Sequence, residues 1–254
     1  MKGSTVILIA GWAHGAEAMI PLAEALGEAS PVVSTSVSEL YAEAQREGKS
    51  PGNWGGRSCC ARALIERISK IGGPVTLAGW SAGGMVAIEA AAALPQQVAA
   101  LVLLSTAARF SSEDPLVPGA ASAALRAMRG RIGRAPARVL RDFFVNAAAP
   151  QMMSEEALRR RVEAALEFGI DCLTDGLDYL RRADLEEAAK RLELPALLVH
   201  GAEDRILPWR AGERLASLIP GCSYEIIPNV GHLLIEQCPE FIGRRIREFL
   251  VGKP

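Results

Sequence analysis

Val75-Thr76-Leu77-Ala78-Gly79-Trp80-Ser81-Ala82-Gly83-Gly84 decides the fold. A short, solidly apolar run leads into Gly-x-Ser-x-Gly, and a small-residue helical pattern over 83–94 follows it, so the stretch reads as strand, tight turn, helix. Such a turn forces Ser81 into a strained backbone conformation that only small neighbours tolerate, and Gly79, Ala82, Gly83 and Gly84 are small. The Ser81 hydroxyl is thereby presented at a helix N-terminus. A glycine-rich turn with an incidental serine leaves the flanks unexplained, and a phosphate cradle would need the lysine that is missing here.

Outward from the turn, apolar runs over 6–10, 98–104 and 196–200 match 75–78 in character, as strands covered on both faces do. Further strands are expected over 31–35 and 222–227, and helices over 16–26, 57–71, 209–218 and 240–250. Pro95, Pro220 and Pro239 mark element ends. Strand and helix alternate, so the fold class is α/β, with a mostly parallel central sheet and helices on both faces. The alternation stops over 108–192, a stretch rich in Ala, Arg and Leu. It is expected to be a helical cap inserted into a core made of 1–107 and 193–254. Pro118, Pro136, Pro150 and Ser154 divide it into about four helices.

Composition narrows the setting. Of 254 residues 50% are hydrophobic and 22% charged, which excludes disordered and collagen-like chains. Lys and Arg number 28 against 29 Asp and Glu, so no global field draws nucleic acid or an anionic membrane. Five dispersed cysteines (Cys59, Cys60, Cys172, Cys222, Cys238) form no CxxC and no zinc spacing, as in a reducing, cytoplasmic setting without a metal. The apolar run near the N-terminus is too short for a signal peptide, so the mature chain is expected to begin at Met1. A thiol enzyme centred on Cys59 and Cys60 is disfavoured, because the pair falls inside a helical pattern with no histidine near it in sequence.

A serine hydroxyl is a poor nucleophile unless a histidine takes its proton and a carboxylate orients that histidine. In this strand–turn–helix class the chain order is Ser, acid, His. Of the three histidines, His14 precedes Ser81 and His200 ends a strand before the expected acid, which leaves His232 in its loop before the last helix. The acid is expected after the strand over 196–200. Asp204 is the choice, with Glu203 its competitor. The developing oxyanion needs backbone donors, and Ala82 and Trp12 occupy the usual places. The Trp12 side chain is either core or the wall of an acyl pocket.

Together, Gly11-Trp12, Gly79-Trp80-Ser81-Ala82-Gly83-Gly84, Gly201-Ala202-Glu203-Asp204 and Gly231-His232 resemble the α/β-hydrolase superfamily across almost the whole chain. More narrowly, the elbow, the Gly-Trp loop and the cap are similar to those of the pimeloyl-[acyl-carrier protein] methyl ester esterases of biotin synthesis. The resemblance implies Ser81 as nucleophile, His232 as base and Asp204 as its orienter, with no cofactor. It also places a substrate-lining phenylalanine on or near Phe143, beside Phe144. Two departures stand out. Ala10-Gly11 replaces the usual His-Gly, and an atypical loop is expected from Ser36-Val37-Ser38-Glu39-Leu40-Tyr41 to Asn53-Trp54-Gly55-Gly56.

From Leu116 to Arg141 the sequence carries Arg126, Arg129, Arg131, Arg134, Arg138 and Arg141 without one Asp or Glu. Arginine forks suit carboxylates and phosphates, so this basic face is a candidate dock for an acidic acyl carrier protein and its phosphopantetheine arm. The plain alternative is a solvated helix face. The leading expectation is a cytoplasmic, monomeric serine carboxylesterase acting on a carrier-bound methyl ester. Its rivals are an esterase for small free esters, a C–C bond hydrolase or lyase of the same fold, and a non-catalytic binder.

Overall fold

The computed structural model describes residues 4–48, 58–114 and 117–252. In chain order its first half runs β1 (Thr5–Ala10), α1 (Ile20–Leu26), β2 (Val32–Ser36), α2 (Val37–Arg46), α3 (Cys59–Ile71), β3 (Val75–Trp80), α4 (Ala82–Ala93) and β4 (Val98–Leu104). The segment after β4 holds β5 (Ser111–Ser112), β6 (Ala120–Ala121), α5 (Ser122–Ile132), α6 (Pro136–Ala148), α7 (Glu155–Leu166), α8 (Ile170–Arg182) and α9 (Glu186–Lys190). The chain then returns through β7 (Ala196–Gly201), α10 (Trp209–Leu218), β8 (Ser223–Ile227), α11 (Leu234–Gln237) and α12 (Pro239–Val251).

Six strands form one sheet in the order β2-β1-β3-β4-β7-β8, and every described pairing in it is parallel. β3 and β7 are buried at every position, whereas the edge strand β8 has none buried, so the apolar runs mark the sheet's centre. Because the strands are parallel, the loops after β1, β3, β7 and β8 all leave by the same edge. The register aligns Ile9 with Gly79, Gly79 with Leu103 and Leu104 with Val199, which brings those loops to one rim. α4 is buried from Ala82 through Ala91, and its small residues let it lie close beneath the sheet. A side chain at Gly83 would overlap the Ile9 carbonyl, which is why glycine stands there.

Two expectations change. The segment expected as an atypical loop from Ser36 is in fact α2 as far as Arg46: the Ser36 hydroxyl accepts from the Glu39 amide at 3.1 Å, and Val37, Leu40 and Ala44 turn one buried face inward. Asn53, Trp54, Gly55 and Gly56 lie outside the described residues, as do Arg57 and Leu116. The second change is in 108–192, whose described residues hold five helices rather than about four, α9 being the short addition. β5 and β6 there form a two-residue ladder of their own. Pro136 opens α6 at its first turn, and the Ser154 hydroxyl caps α7 by accepting from the Ala157 amide at 3.2 Å. No described helix is long and apolar enough to cross a membrane.

Candidate active site

The turn between β3 and α4 puts Ser81 at φ 56°, ψ −124°, a conformation L-residues rarely adopt. Backbone bonds on both sides hold it there. The Ser81 amide donates to the Leu104 carbonyl at 2.9 Å, and the Thr106 hydroxyl donates to the Ser81 carbonyl at 2.7 Å. The side chain thus projects from the rim at the N-terminus of α4, where the helix dipole favours developing negative charge.

Ser81 Oγ lies 3.0 Å from His232 Nε2, and His232 Nδ1 lies 2.7 Å from Asp204 Oδ2. The His232 backbone is anchored beside the elbow, since its carbonyl accepts from Trp80 Nε1 at 2.9 Å. Asp204 is shut from solvent, and its Oδ1 accepts from the Ile206 and Leu207 amides at 2.8 and 2.9 Å. Burial by itself would raise the carboxyl's pKa. The His232 and His200 rings facing it outweigh that and hold it well below the usual carboxylate range. Glu203 is exposed, so of the two competing acids Asp204 is the one beside His232.

Sequence reasoning set His200 aside and missed its placement: it is fully buried, with Nε2 3.0 Å from the Leu207 carbonyl and 3.2 Å from Asp204 Oδ2. One Nε2–H shared between those oxygens braces the carboxylate from the side away from His232. The only hint in the sequence was a polar residue ending an otherwise apolar strand.

Gly11 packs against Ser81, with room for a Cβ only 2.9 Å from the serine Cβ, so the loop after β1 runs alongside the hydroxyl. Ala82 follows Ser81 at the start of α4, and Trp12, the residue after Gly11, lines one pocket with Ser81. Ala13 follows at φ 61°, and His14 Nδ1 then donates back to the Trp12 carbonyl at 2.8 Å. Burial pushes the His14 pKa down to about 3, against the weaker pull of that carbonyl, so His14 stays neutral in the folded protein. The unfolded chain takes up this proton near 6.5, so between that pH and about 3 it binds one proton more than the fold does. Stability therefore rises with pH across this window, by roughly 1.4 kcal/mol per unit. Asp204 adds to the slope only at the acid end of this window, because its contribution, complete above the unfolded value of 3.8, is lost as the pH falls below that. Urea melts at pH 7, 6, 5 and 4 are expected to show the slope in the native protein and a flatter one in His14→Gln.

A pocket of about 310 Å³ opens over Ser81, lined mainly by apolar side chains that include Trp12, Leu125, Val139, Phe143 and Leu177. Phe143 stands edge-on to Trp12 with ring centroids 4.9 Å apart. Such a site suits an uncharged acyl chain whose carbonyl sits at Ser81.

The model of the alpha/beta hydrolase family matches residues 6–244. The chain belongs to that family. Among curated alpha/beta hydrolase relatives, the pimeloyl-[acyl-carrier protein] methyl ester esterase of Methylococcus capsulatus is 33% identical over 202 residues, covering 76% of this chain and 75% of its own. The enzyme of the same name from Neisseria meningitidis serogroup B is 28% identical over 185 residues, 72% of each chain. Among solved structures, a bromoperoxidase from Bacillus anthracis superposes with a TM-score of 0.84 at 20% identity, covering 99% of this chain and 93% of that one. At that identity the likeness speaks for the alpha/beta hydrolase fold alone.

Not every expected residue joins the alpha/beta hydrolase site. Phe144 is buried on a different side of α6: it packs on His14, centroids 5.2 Å apart, and lines a separate cleft with Arg160, Arg161 and Phe168. Neighbours on a helix point about 100° apart, so Phe143 and Phe144 cannot both face Ser81. The basic face also changes. Arg126 pairs with Glu113, Arg129 with Asp178 at 2.9 Å, Arg131 with Asp142 at 3.4 Å and Arg141 with Glu155 at 2.6 Å. The uncompensated run read from the sequence is therefore largely compensated by carboxylates lying outside it. Arg134 and Arg138 are the two without an ion pair among the described residues. Among those residues, too, no cluster of His, Cys, Asp or Glu could hold a metal.

Proposed function

We propose that this carboxylic ester hydrolase cleaves the methyl ester of pimeloyl-acyl carrier protein in biotin synthesis, as a monomer in the cytosol and without a cofactor. The hydrogen-bonded chain from Ser81 through His232 to Asp204, opening into an apolar pocket, is the observation that carries the chemistry. The likeness to relatives named for that substrate supports its identity. Ser81 Oγ attacks the ester carbonyl as His232 Nε2 takes its proton, and Asp204 stabilises the resulting imidazolium. The Trp12 and Ala82 amides hold the oxyanion. Collapse expels methoxide, protonated by His232 to methanol, and leaves an acyl-enzyme on Ser81. A water activated by His232 then releases the free carboxylate.

In this reading residues 108–192 form a cap over the core, and its arginines meet the carrier. Of Arg126, Arg129, Arg134, Arg138 and Arg141, the unpaired Arg134 and Arg138 can bind carrier carboxylates without first giving up a partner. Arg134→Glu/Arg138→Glu is expected to raise KM for the carrier-bound ester about tenfold and to leave kcat/KM for dimethyl pimelate unchanged. Equal effects on both substrates would remove the docking role. The existing ion pairs of the other arginines favour a second reading, an esterase for small free esters whose cap charges only neutralise one another.

A further inference from the structure

A second cavity, about 530 Å³ and so larger than the pocket over Ser81, lies on the other side of Trp12. Among the described residues Trp12 alone lines both. The rest of the partition is α8, whose Cys172, Gly176 and Tyr179 face the second cavity while Leu177 and Leu180 face the first. The indole is seated against this helix: Trp12 Nε1 donates to the Leu173 carbonyl at 2.9 Å, and a side chain at Gly176 would overlap its Cδ1. The indole and the α8 segment it is seated against therefore separate the two spaces.

The far space has an apolar wall, with Val37, Cys59, Cys60 and Leu185 on its lining. Its inner carboxylates already have partners. Glu89 accepts from the Ser58 amide and hydroxyl and from the Tyr179 hydroxyl at 2.6–2.8 Å, and Asp175 accepts from the Tyr41 hydroxyl at 2.8 Å. An uncharged chain can pass these satisfied groups, whereas a second anionic group would be repelled by them.

We propose that the cavity behind Trp12, open to solvent beside Arg182 and Asp184, is a second acyl compartment walled off from Ser81 by the Trp12 indole, and that it takes the uncharged alkyl chains of esters bound at Ser81 once that ring is removed. Trp12 is then the residue that limits acyl length, through its side chain, while its backbone amide serves the oxyanion. The inference rests on the ester-hydrolysis reading of Ser81.

The test compares p-nitrophenyl acetate, p-nitrophenyl decanoate and a p-nitrophenyl ester of equal length ending in a carboxylate, on the native protein and on Trp12→Ala. The decanoate-to-acetate ratio of kcat/KM is expected to rise about tenfold or more in the variant, with no such rise for the ω-carboxylate. Refilling the space in Trp12→Ala/Cys172→Phe is expected to cancel the gain. Trp12→Leu replaces Trp12→Ala if circular dichroism shows the latter unfolded. A second arm needs no turnover: 2-dodecanone should slow maleimide labelling of Cys59 and Cys172 more strongly in the Trp12 variant, where the chain can span both spaces, than in the native protein. An unchanged ratio, or an equal gain for the ω-carboxylate, overturns the proposal. Absence of activity on every ester would instead remove the esterase reading, and the labelling arm would then decide the compartment on its own.

Discussion

Ser81→Ala is expected to lower kcat for ester hydrolysis by on the order of 10⁶-fold, to the rate that binding and the oxyanion donors sustain alone. The size follows from the geometry: among the described residues Ser81 Oγ is the hydroxyl hydrogen-bonded to His232 Nε2, and alanine leaves that base no side-chain nucleophile to deprotonate. The fold should survive, because the contacts that hold the strained turn are made by the Ser81 backbone, to Leu104 and from Thr106, and alanine keeps both. Circular dichroism and the urea midpoint check the fold, and p-nitrophenyl acetate turnover checks the rate. A variant keeping a tenth of the native rate would show that another group carries the attack.

The second large effect belongs to Asp204→Asn, for which a fall in kcat of about 10⁴ is expected with KM little changed. Asp204 Oδ1 is committed to two backbone amides, so an asparagine keeping those bonds presents its NH₂ to both His232 and His200. His232 Nδ1 would then have to accept rather than donate, leaving the proton on Nε2, where it cannot take one from Ser81. His200 meets a donor where it had an acceptor, so a loss of about 1–3 kcal/mol in stability should accompany the kinetic effect. Glu203 is exposed and cannot stand in. Stopped turnover assays together with urea melts separate the two consequences, and native-like kcat in a folded Asp204→Asn would refute the orienting role.

Much of this site was legible because few residues qualified. Ser81 stands in a turn with the small residues Gly79, Ala82, Gly83 and Gly84, and chain order leaves one histidine of three. Deciding between Glu203 and Asp204 needed the structure, since adjacent carboxylates in a turn differ only in where the backbone points them. α2 was legible and overlooked: Ser36-Val37-Ser38-Glu39 carries the Ser-x-x-Glu spacing of a helix start, followed by Leu40 and Ala44 on one face. The charge balance of 108–192 was not legible in the arginine run itself. Arg129 meets Asp178, forty-nine residues on and in another helix, and only the packing of α5 on α8 makes them neighbours. The same holds for the wall between the two cavities, in which a loop residue near the N-terminus meets Gly176.

The most direct measurement is methanol release from pimeloyl-acyl carrier protein methyl ester and from free dimethyl pimelate, at low and high salt, with the Ser81→Ala protein as blank. A higher kcat/KM is expected for the carrier-bound ester, falling toward the free-ester value as salt screens the carrier from Arg134 and Arg138. Equal kcat/KM for the two esters at both salt concentrations would contradict it and leave an esterase for small free esters.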